Sequence, residues 1–248
     1  MRWPAPFTTD VESQSSGSVI ESVEHKNGAL LHAVGMAGTA IMVLSDLLLL
    51  YVPVPRSQYD FLEIAKRIPE TRVIAGDYLG LLGTPLVLVG LYGIYLILKQ
   101  AGRWHSLPPV LLLGCAYLLG AVFHHTVGMI MTGARHRMPG GAAEVLTKEL
   151  VTNFLVPLGI AFLVVVVVGA AWLFVGLVSA RTAYPRWMAF LSPLVLALAF
   201  RAAVLVAPPA VVGALVPAGP NLAMLVFFVA SVAWLRSRRV AEVQSGAV

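Results

Sequence analysis

LVTNFLVPLGIAFLVVVVVGAAWLFVGLVS, residues 150–179, is a mostly apolar run of thirty residues without a single charged side chain. A helix needs about 20 such residues to cross the hydrocarbon core of a bilayer, whereas the strands of a membrane barrel alternate in polarity over roughly 10 residues. Backbone N–H and C=O groups in hydrocarbon must be bonded within the chain, and an unbroken apolar run achieves this as a helix. Similar runs lie on both sides of this one. We therefore expect an all-α fold, a polytopic transmembrane helix bundle.

The composition of the whole chain also indicates that lipid is its main solvent. Hydrophobic residues make up 58% and charged residues 12% of the 248 residues, whereas soluble domains carry roughly 45–50% and about 25%. The formal charge of +5 comes from Lys and Arg that lie mainly near the ends of the apolar runs. Headgroups and membrane topology account for basic residues in such positions. We expect membrane lipids as partners, and no nucleic acid.

Six transmembrane spans are predicted, with seven as the alternative. The apolar runs cover residues 29–52, 73–98, 107–132, 150–179, 187–206 and 221–235. The Pro-rich segment 207–220, APPAVVGALVPAGP, is expected to be a re-entrant turn or part of a broken seventh helix. In the first loop, apolar residues recur at helical spacing, which predicts a short amphipathic helix on the membrane surface. These residues are Phe61, Leu62, Ala65 and Ile68.

The chain is expected to divide into a bundle and two tails. Residues 1–28 are polar, Ser-rich and without periodicity, which predicts a disordered tail. Residues 29–235 form the bundle, and residues 236–248 form a basic, disordered C-terminal tail. The Lys and Arg distribution favours both termini in the cytoplasm, in a multi-pass protein of the cell membrane.

Strongly polar residues inside the spans are few, and most of them fall in one half of the bilayer. An ionisable group in hydrocarbon costs a few kcal/mol or more and needs a partner, a cavity or a role. Placing each residue by the helical rise of about 1.5 Å puts seven in the same half and only His32 in the other. The seven are Asp46, Asp77, His124, His125, Asn153, Arg201 and Asn221.

These residues can support acid–base chemistry. Burial raises the pKa of a carboxyl group, so Asp46 or Asp77 could serve as a proton donor. Adjacent histidines point about 100° apart on a helix, so we expect His124 to face a cavity and His125 to pack against a neighbouring element. Their spacing does not match the helical metal motif H-E-x-x-H, so neither a metal nor another cofactor is predicted. Alternatively, Arg201 forms a buried ion pair with one of the aspartates.

Four strings resemble an uncharacterised bacterial family of small multi-pass membrane proteins, over residues 29–235. They are IPETRVIAGDYLGLLGTPL, FHHTVG, YPRWMAFLSPLV and PNLAMLVFFVAS. This resemblance implies a multi-pass architecture and assigns no activity. In length and span number the chain also resembles the small integral membrane terpene cyclases, which are thought to protonate an alkene or epoxide with acidic residues. An aspartate would here replace the usual glutamate partner of that family.

The functional hypothesis is an intramembrane enzyme that cyclises or isomerises a lipophilic isoprenoid-type substrate after protonating it, as a terpene cyclase does. Asp46, Asp77 and His124 are the predicted catalytic residues. The predicted substrate-binding residues are Tyr78, His125, Asn153, Arg201 and Asn221. Tyr78 could stabilise a carbocation by a cation–π contact, or belong to the interfacial aromatic belt. The alternatives are a non-catalytic multi-pass membrane protein and a small-solute transporter.

Overall fold

The computed structural model describes residues 11–55, 57, 61–134, 142–179 and 182–245. This part of the chain is almost entirely helical and contains no strand. Five of its helices are long and apolar enough to cross a membrane. The expected all-α membrane fold is confirmed in this form, as a multi-pass bundle. The helices are α1 (Val11–Leu50), α2 (Phe61–Arg67), α3 (Glu70–Leu98), α4 (Arg103–Gly133), α5 (Ala142–Leu150), α6 (Val156–Ser179), α7 (Pro193–Ala203) and α8 (Pro209–Gln244).

The segment predicted as the fifth span is not one long helix. A 3-10 helix, Arg186–Leu191, is followed by α7, which has eleven residues. At about 1.5 Å per residue α7 is roughly 16 Å long, about half of the hydrocarbon core. The break lies at Ser192, whose hydroxyl accepts the N–H of Val195 as an N-cap, with Pro193 at the first helical position. Ser and Pro are the residues that favour a helix start there.

The Pro-rich segment before the predicted sixth span is helical instead of a re-entrant turn. Helix α8 begins at Pro209 and includes Pro217 and Pro220. The turn lies further upstream, at residues 204–208, between α7 and α8. Helices α1 and α8 also extend beyond the predicted bundle, to Val11 and Gln244. Residues 1–10 and 246–248 lie outside the described residues, so the predicted tails stay predictions.

The long helices pack side by side and antiparallel. Helix α1 lies between α3 and α8, α4 packs on α3, and α6 packs on α4. We call the end of the bundle that holds Leu50, Glu70 and Gly133 the loop end, and the other the turn end. At the turn end Gly102 closes the link between α3 and α4 with a φ of 93°, a conformation that favours glycine.

Helices α1 and α3 approach each other closely at a pair of glycines. A Cβ atom at Gly35 would lie 2.6 Å from the Cα atom of Gly90, so neither position has room for a larger residue. Small residues allow membrane helices to approach in this way. The two helices are also close enough for the Arg72 side chain on α3 to donate to the carbonyl oxygen of Leu47 on α1 at 2.8 Å.

The amphipathic helix α2 packs on the bundle with its apolar face. Ile64, Ala65 and Ile68 are almost completely buried, in a cluster that also includes Leu49 and Met131. The predicted helix is therefore present, but its described apolar residues contact protein. The side chains of Phe61 and Leu62 lie outside the described residues. Helix α2 therefore packs against α1 and α4 at the loop end of the bundle.

Candidate functional site

Asp46 and His124 form a buried pair between α1 and α4. Nε2 of His124 lies 2.7 Å from Oδ1 of Asp46, and Nδ2 of Asn221 on α8 donates to Oδ2 at 2.8 Å. Both oxygens of the carboxyl group are therefore satisfied. The side chains of His124 and Asp46 are 8% and 6% exposed. We call Asp46 and His124 the buried pair.

Ser45 extends the buried pair to α3 without becoming a nucleophile. Its hydroxyl donates to the carbonyl oxygen of Gly76 at 2.6 Å, while Nδ1 of His124 lies 3.5 Å from its Oγ atom. The residues Ser, His and Asp are thus adjacent, as in a hydrolase triad. However, the Ser45 hydroxyl already donates its hydrogen bond to the carbonyl oxygen of Gly76 and not to His124, and Ser45 is completely buried. The arrangement therefore does not provide a serine that His124 activates as a nucleophile. The network instead ties together α1, α3, α4 and α8.

Asp77 and His125 form a second pair, between α3 and α4. Nδ1 of His125 lies 2.9 Å from Oδ2 of Asp77. The His125 side chain is 52% exposed and that of Asp77 is 14% exposed. The second carboxyl oxygen of Asp77, Oδ1, is buried and has no hydrogen-bond partner among the described residues. We call Asp77 and His125 the open pair.

A groove of about 460 Å³ opens between α3 and α4 beside the open pair. Asp77 is the only acidic or basic residue that lines it in the described part of the chain. The other lining residues are Val73, Ile74, Tyr78, Gly128, Met129, Thr132 and Gly133. Gly128 makes room for the carboxyl group, because a Cβ atom there would lie 3.1 Å from Cγ of Asp77. The groove combines apolar walls, a tyrosine and one incompletely bonded carboxyl group.

The structure brings together five of the predicted site residues as bonded partners. Asp46, His124 and Asn221 meet in one network, and Asp77 and His125 meet in the other. The two histidines do point to different surroundings, as expected. Their placement is the reverse of the prediction, because His124 is buried in the helix interface and His125 is half exposed next to the groove-lining Asp77.

Three other predicted site residues stand apart from these networks. Tyr78 is 63% exposed and lines the groove. Asn153 is exposed on a π-helical turn, Val151–Leu155, that joins α5 to α6. Arg201 on α7 is exposed and forms no ion pair with a described residue, so the alternative of a buried Arg201–aspartate pair is wrong within this part of the chain.

His32 belongs to a separate network near the turn end. Its Nδ1 atom lies 2.7 Å from the carbonyl oxygen of Gly28, and its Nε2 atom lies 2.6 Å from the hydroxyl of Tyr184. Burial raises the pKa of Tyr184, so the phenol keeps its proton and its O–H donates a hydrogen bond to Nε2. The imidazole then donates from Nδ1 to Gly28. This network docks the segment before the 3-10 helix onto α1.

Sequence reasoning missed Ser45, Gly76 and Gly128 as parts of the polar networks. A serine next to Asp46 and glycines on either side of Asp77 and His125 were visible signals. Which side chain each of them contacts depends on how each helix is rotated about its axis. Small residues indicate a close helix contact, but they do not show which helix face makes it until the packing partner is known.

A sequence model for a family of unknown function, DUF6796, matches residues 25–238. The chain belongs to this family. Membership of DUF6796 agrees with the resemblance to an uncharacterised membrane family. The matched residues include the buried pair and the open pair. No curated protein and no solved structure matches the chain. The resemblance to membrane terpene cyclases therefore stays a prediction.

Proposed function

We propose that this DUF6796 protein is an acid–base enzyme of the cell membrane that acts on a lipophilic substrate at the groove between α3 and α4. The observation that carries this proposal is the open pair, a carboxyl group bonded to a half-exposed imidazole beside an apolar groove. An ionisable residue on such a surface is costly in lipid, and its presence there therefore supports a functional role. The reaction that we propose is acid-initiated cyclisation or isomerisation of an isoprenoid-type substrate.

In such a reaction Asp77 of the open pair would donate one proton to the substrate and later accept one back. Protonated Asp77 would transfer its proton to an alkene carbon or an epoxide oxygen, which leaves a carboxylate and a carbocation. The carboxylate, held by His125, would then accept a proton from a neighbouring carbon of the cyclised or isomerised cation. Tyr78 supplies an aromatic ring near the developing charge. The net reaction consumes neither an oxidant nor a metal.

The buried pair has a structural role in this proposal. Asp46, His124 and Asn221 have no unsatisfied carboxyl oxygen to offer a substrate, and their network holds α1, α4 and α8 together. The predicted catalytic roles of Asp46 and His124 are thus replaced by a structural one. His125 takes the place that the sequence hypothesis gave to His124.

We also propose that the chain crosses the membrane six times. Helix α6 ends at the turn end, where Gly176 lies against His105, and α8 begins at the loop end, where Gly213 lies against Val52. The intervening 3-10 helix and α7 together rise about 28 Å, close to the thickness of a hydrocarbon core. Both termini then lie on the same side. Reporter fusions that detect opposite compartments at the two ends would contradict this topology.

The second candidate is a non-catalytic membrane protein. It is favoured by the fact that each pair also joins neighbouring helices, as polar side chains do in many membrane bundles. The two candidates differ in what the loss of the open pair removes. In the enzyme it removes turnover, and in the non-catalytic protein it removes only a helix contact.

The test is deuterium incorporation from D₂O. Membranes that contain the protein would be incubated with a panel of prenylated alcohols, prenylated phenols and their epoxides, and the products analysed by mass spectrometry. Protonation at carbon should place one solvent deuterium in each product molecule, and epoxide opening should give a cyclised isomer. Asp77→Asn should abolish product, because the amide keeps the size of the side chain but has no acidic proton.

Glu70→Gln is the matched control, because it removes an exposed carboxyl group from the start of the same helix. It should leave product formation unchanged. Product formation by Asp77→Asn at the wild-type rate would exclude Asp77 as the acid. A panel without any product, combined with a variant as stable as the wild type, would favour the non-catalytic candidate.

A further inference from the structure

The groove beside the open pair faces outward from the bundle. Three of its lining side chains, Ile74, Tyr78 and Met129, are 45%, 63% and 62% exposed. Its volume of about 460 Å³ lies within the range of roughly 300–1,000 Å³ that is typical of small-molecule sites. Because α3 and α4 are membrane helices, a ligand reaches this groove from the lipid without passing through the bundle.

The depth of the groove limits which part of a ligand can react. Asp77 is seven residues from Thr84, the middle of α3, and His125 is seven residues from Leu118, the middle of α4. Both residues therefore lie about 10 Å from the middle of their helices. If the helices are centred in a core of about 30 Å, the pair lies roughly 5 Å below the boundary between headgroups and hydrocarbon. A lipophilic ligand whose polar head lies near this boundary would place the first few bonds of its chain beside Asp77.

The charges in the groove indicate what kind of head it accepts. Its described lining residues include one carboxyl group and no cation. An anionic head, such as a phosphate, would lose its hydration at this depth without a cation among these lining residues to pair with, which is unfavourable. A hydroxyl group can instead bond to Oδ1 of Asp77, the buried carboxyl oxygen that has no partner among the described residues. A carbonyl group can accept a hydrogen bond from this oxygen when Asp77 is protonated.

We propose that the groove binds a neutral long-chain amphiphile, with a hydroxyl or carbonyl group at Asp77 and its chain in the leaflet at the loop end. That the bound amphiphile is also the substrate rests on the proposed function. This binding mode narrows that substrate to molecules whose reactive bond lies near a neutral polar head. Prenyl diphosphates are excluded by it, whereas prenylated alcohols and phenols fit.

The experiment is photo-cross-linking in nanodiscs with three probes. The first is a long-chain alcohol with a diazirine near the hydroxyl, the second is its isomer with the diazirine at the chain end, and the third is the phosphate ester of the first. Peptides would be mapped by mass spectrometry. The first probe should label residues 73–78 and 128–133 at least fivefold more than either of the others.

Gly133→Leu should remove this labelling, because a Cβ atom at Gly133 meets nothing within 4 Å and the larger side chain can occupy the groove without strain. Gly114→Leu is the matched control, on the same helix nearer the turn end, with only the Leu88 side chain 3.7 Å away. It should label as the wild type does. Equal or stronger labelling by the phosphate probe, equal labelling by the chain-end probe, or full labelling of Gly133→Leu would overturn the proposal.

This outcome is separable from that of the proposed function, because cross-linking requires binding but no turnover. Labelling without any deuterated product leaves the amphiphile site in place and contradicts catalysis. Deuterated product from a prenyl diphosphate, added to the same panel, supports catalysis and contradicts the neutral head.

Discussion

The two Asp–His pairs have the same chemistry and start from adjacent histidines, yet their surroundings differ completely. His124 is buried with Asp46, whose two oxygens are bonded to His124 and Asn221. His125 is half exposed with Asp77, which keeps one oxygen unbonded among the described residues. The turn of about 100° between adjacent helical residues is enough to send one imidazole into the interface and the other to the surface. Residue type alone therefore does not assign a role.

The comparison gives each pair a different expected cost of removal. Breaking a buried pair leaves an uncompensated polar group in a low dielectric, at about 3–5 kcal/mol. Breaking the open pair should cost less, about 0.6 kcal/mol for an average side-chain hydrogen bond between membrane helices, because the half-exposed His125 can turn toward the headgroups when its partner is removed. Stability and activity should thus separate between the two pairs.

The largest effect is expected for Asp46→Ala. It should lower the free energy of unfolding in mixed detergent micelles by about 3–5 kcal/mol, because His124 and Asn221 lose their partner inside the bundle. Asp77→Ala is the matched variant and should change the same quantity by less than about 1 kcal/mol. Equal losses in the two variants would show that the open pair is as structural as the buried one.

A smaller effect that separates the two histidines is expected on the pH profile. With the substrate that the deuterium experiment identifies, His125→Ala should lower the rate roughly 10²-fold and change the shape of the profile between about pH 5 and 9. His125→Gln should recover part of the rate, since the amide can still donate to Asp77, but not the shape.

His124→Ala is the comparison for this experiment. It should lower stability, while the folded fraction keeps the wild-type pH profile, because the buried pair does not exchange protons with the substrate. A changed profile for His124→Ala with an unchanged one for His125→Ala would reverse the roles of the two pairs.

The helix bundle, and the half of the bilayer that holds the polar residues, could be predicted from the sequence. They depend only on the composition of the apolar runs and on the alternating direction of consecutive spans. Apolar runs of sufficient length define the spans, and consecutive spans place the end of one beside the start of the next. Asp46 and Asp77 therefore had to lie in the same half, as did His124 and His125. The divergence of the two histidines follows from the helical turn alone.

The pairing of each histidine with its aspartate could not be predicted, because it depends on helix rotation. The sequence places no constraint on which face of α4 meets α1, whereas Gly80 and Gly128 leave room for His124 and Asp77 only in the assembled bundle. The broken fifth span is a different case. Ser192 and Pro193 were visible signals of a helix start, but the apolar run around them hid the break.

Labelling with a hydrophobic carbodiimide tests whether the Asp46 carboxyl group is closed off and the Asp77 carboxyl group is accessible from the lipid. This reagent reaches carboxyl groups from the lipid and converts a protonated carboxyl to a stable N-acylurea, which peptide mass spectrometry locates. In intact membranes we predict modification of Asp77 and none of Asp46, with the His125→Ala variant still modified at Asp77. Modification of Asp46 at a rate equal to that of Asp77, or an unmodified Asp77 together with a labelled Asp46, would contradict the assignment of Asp46 to a closed pair and Asp77 to an accessible one.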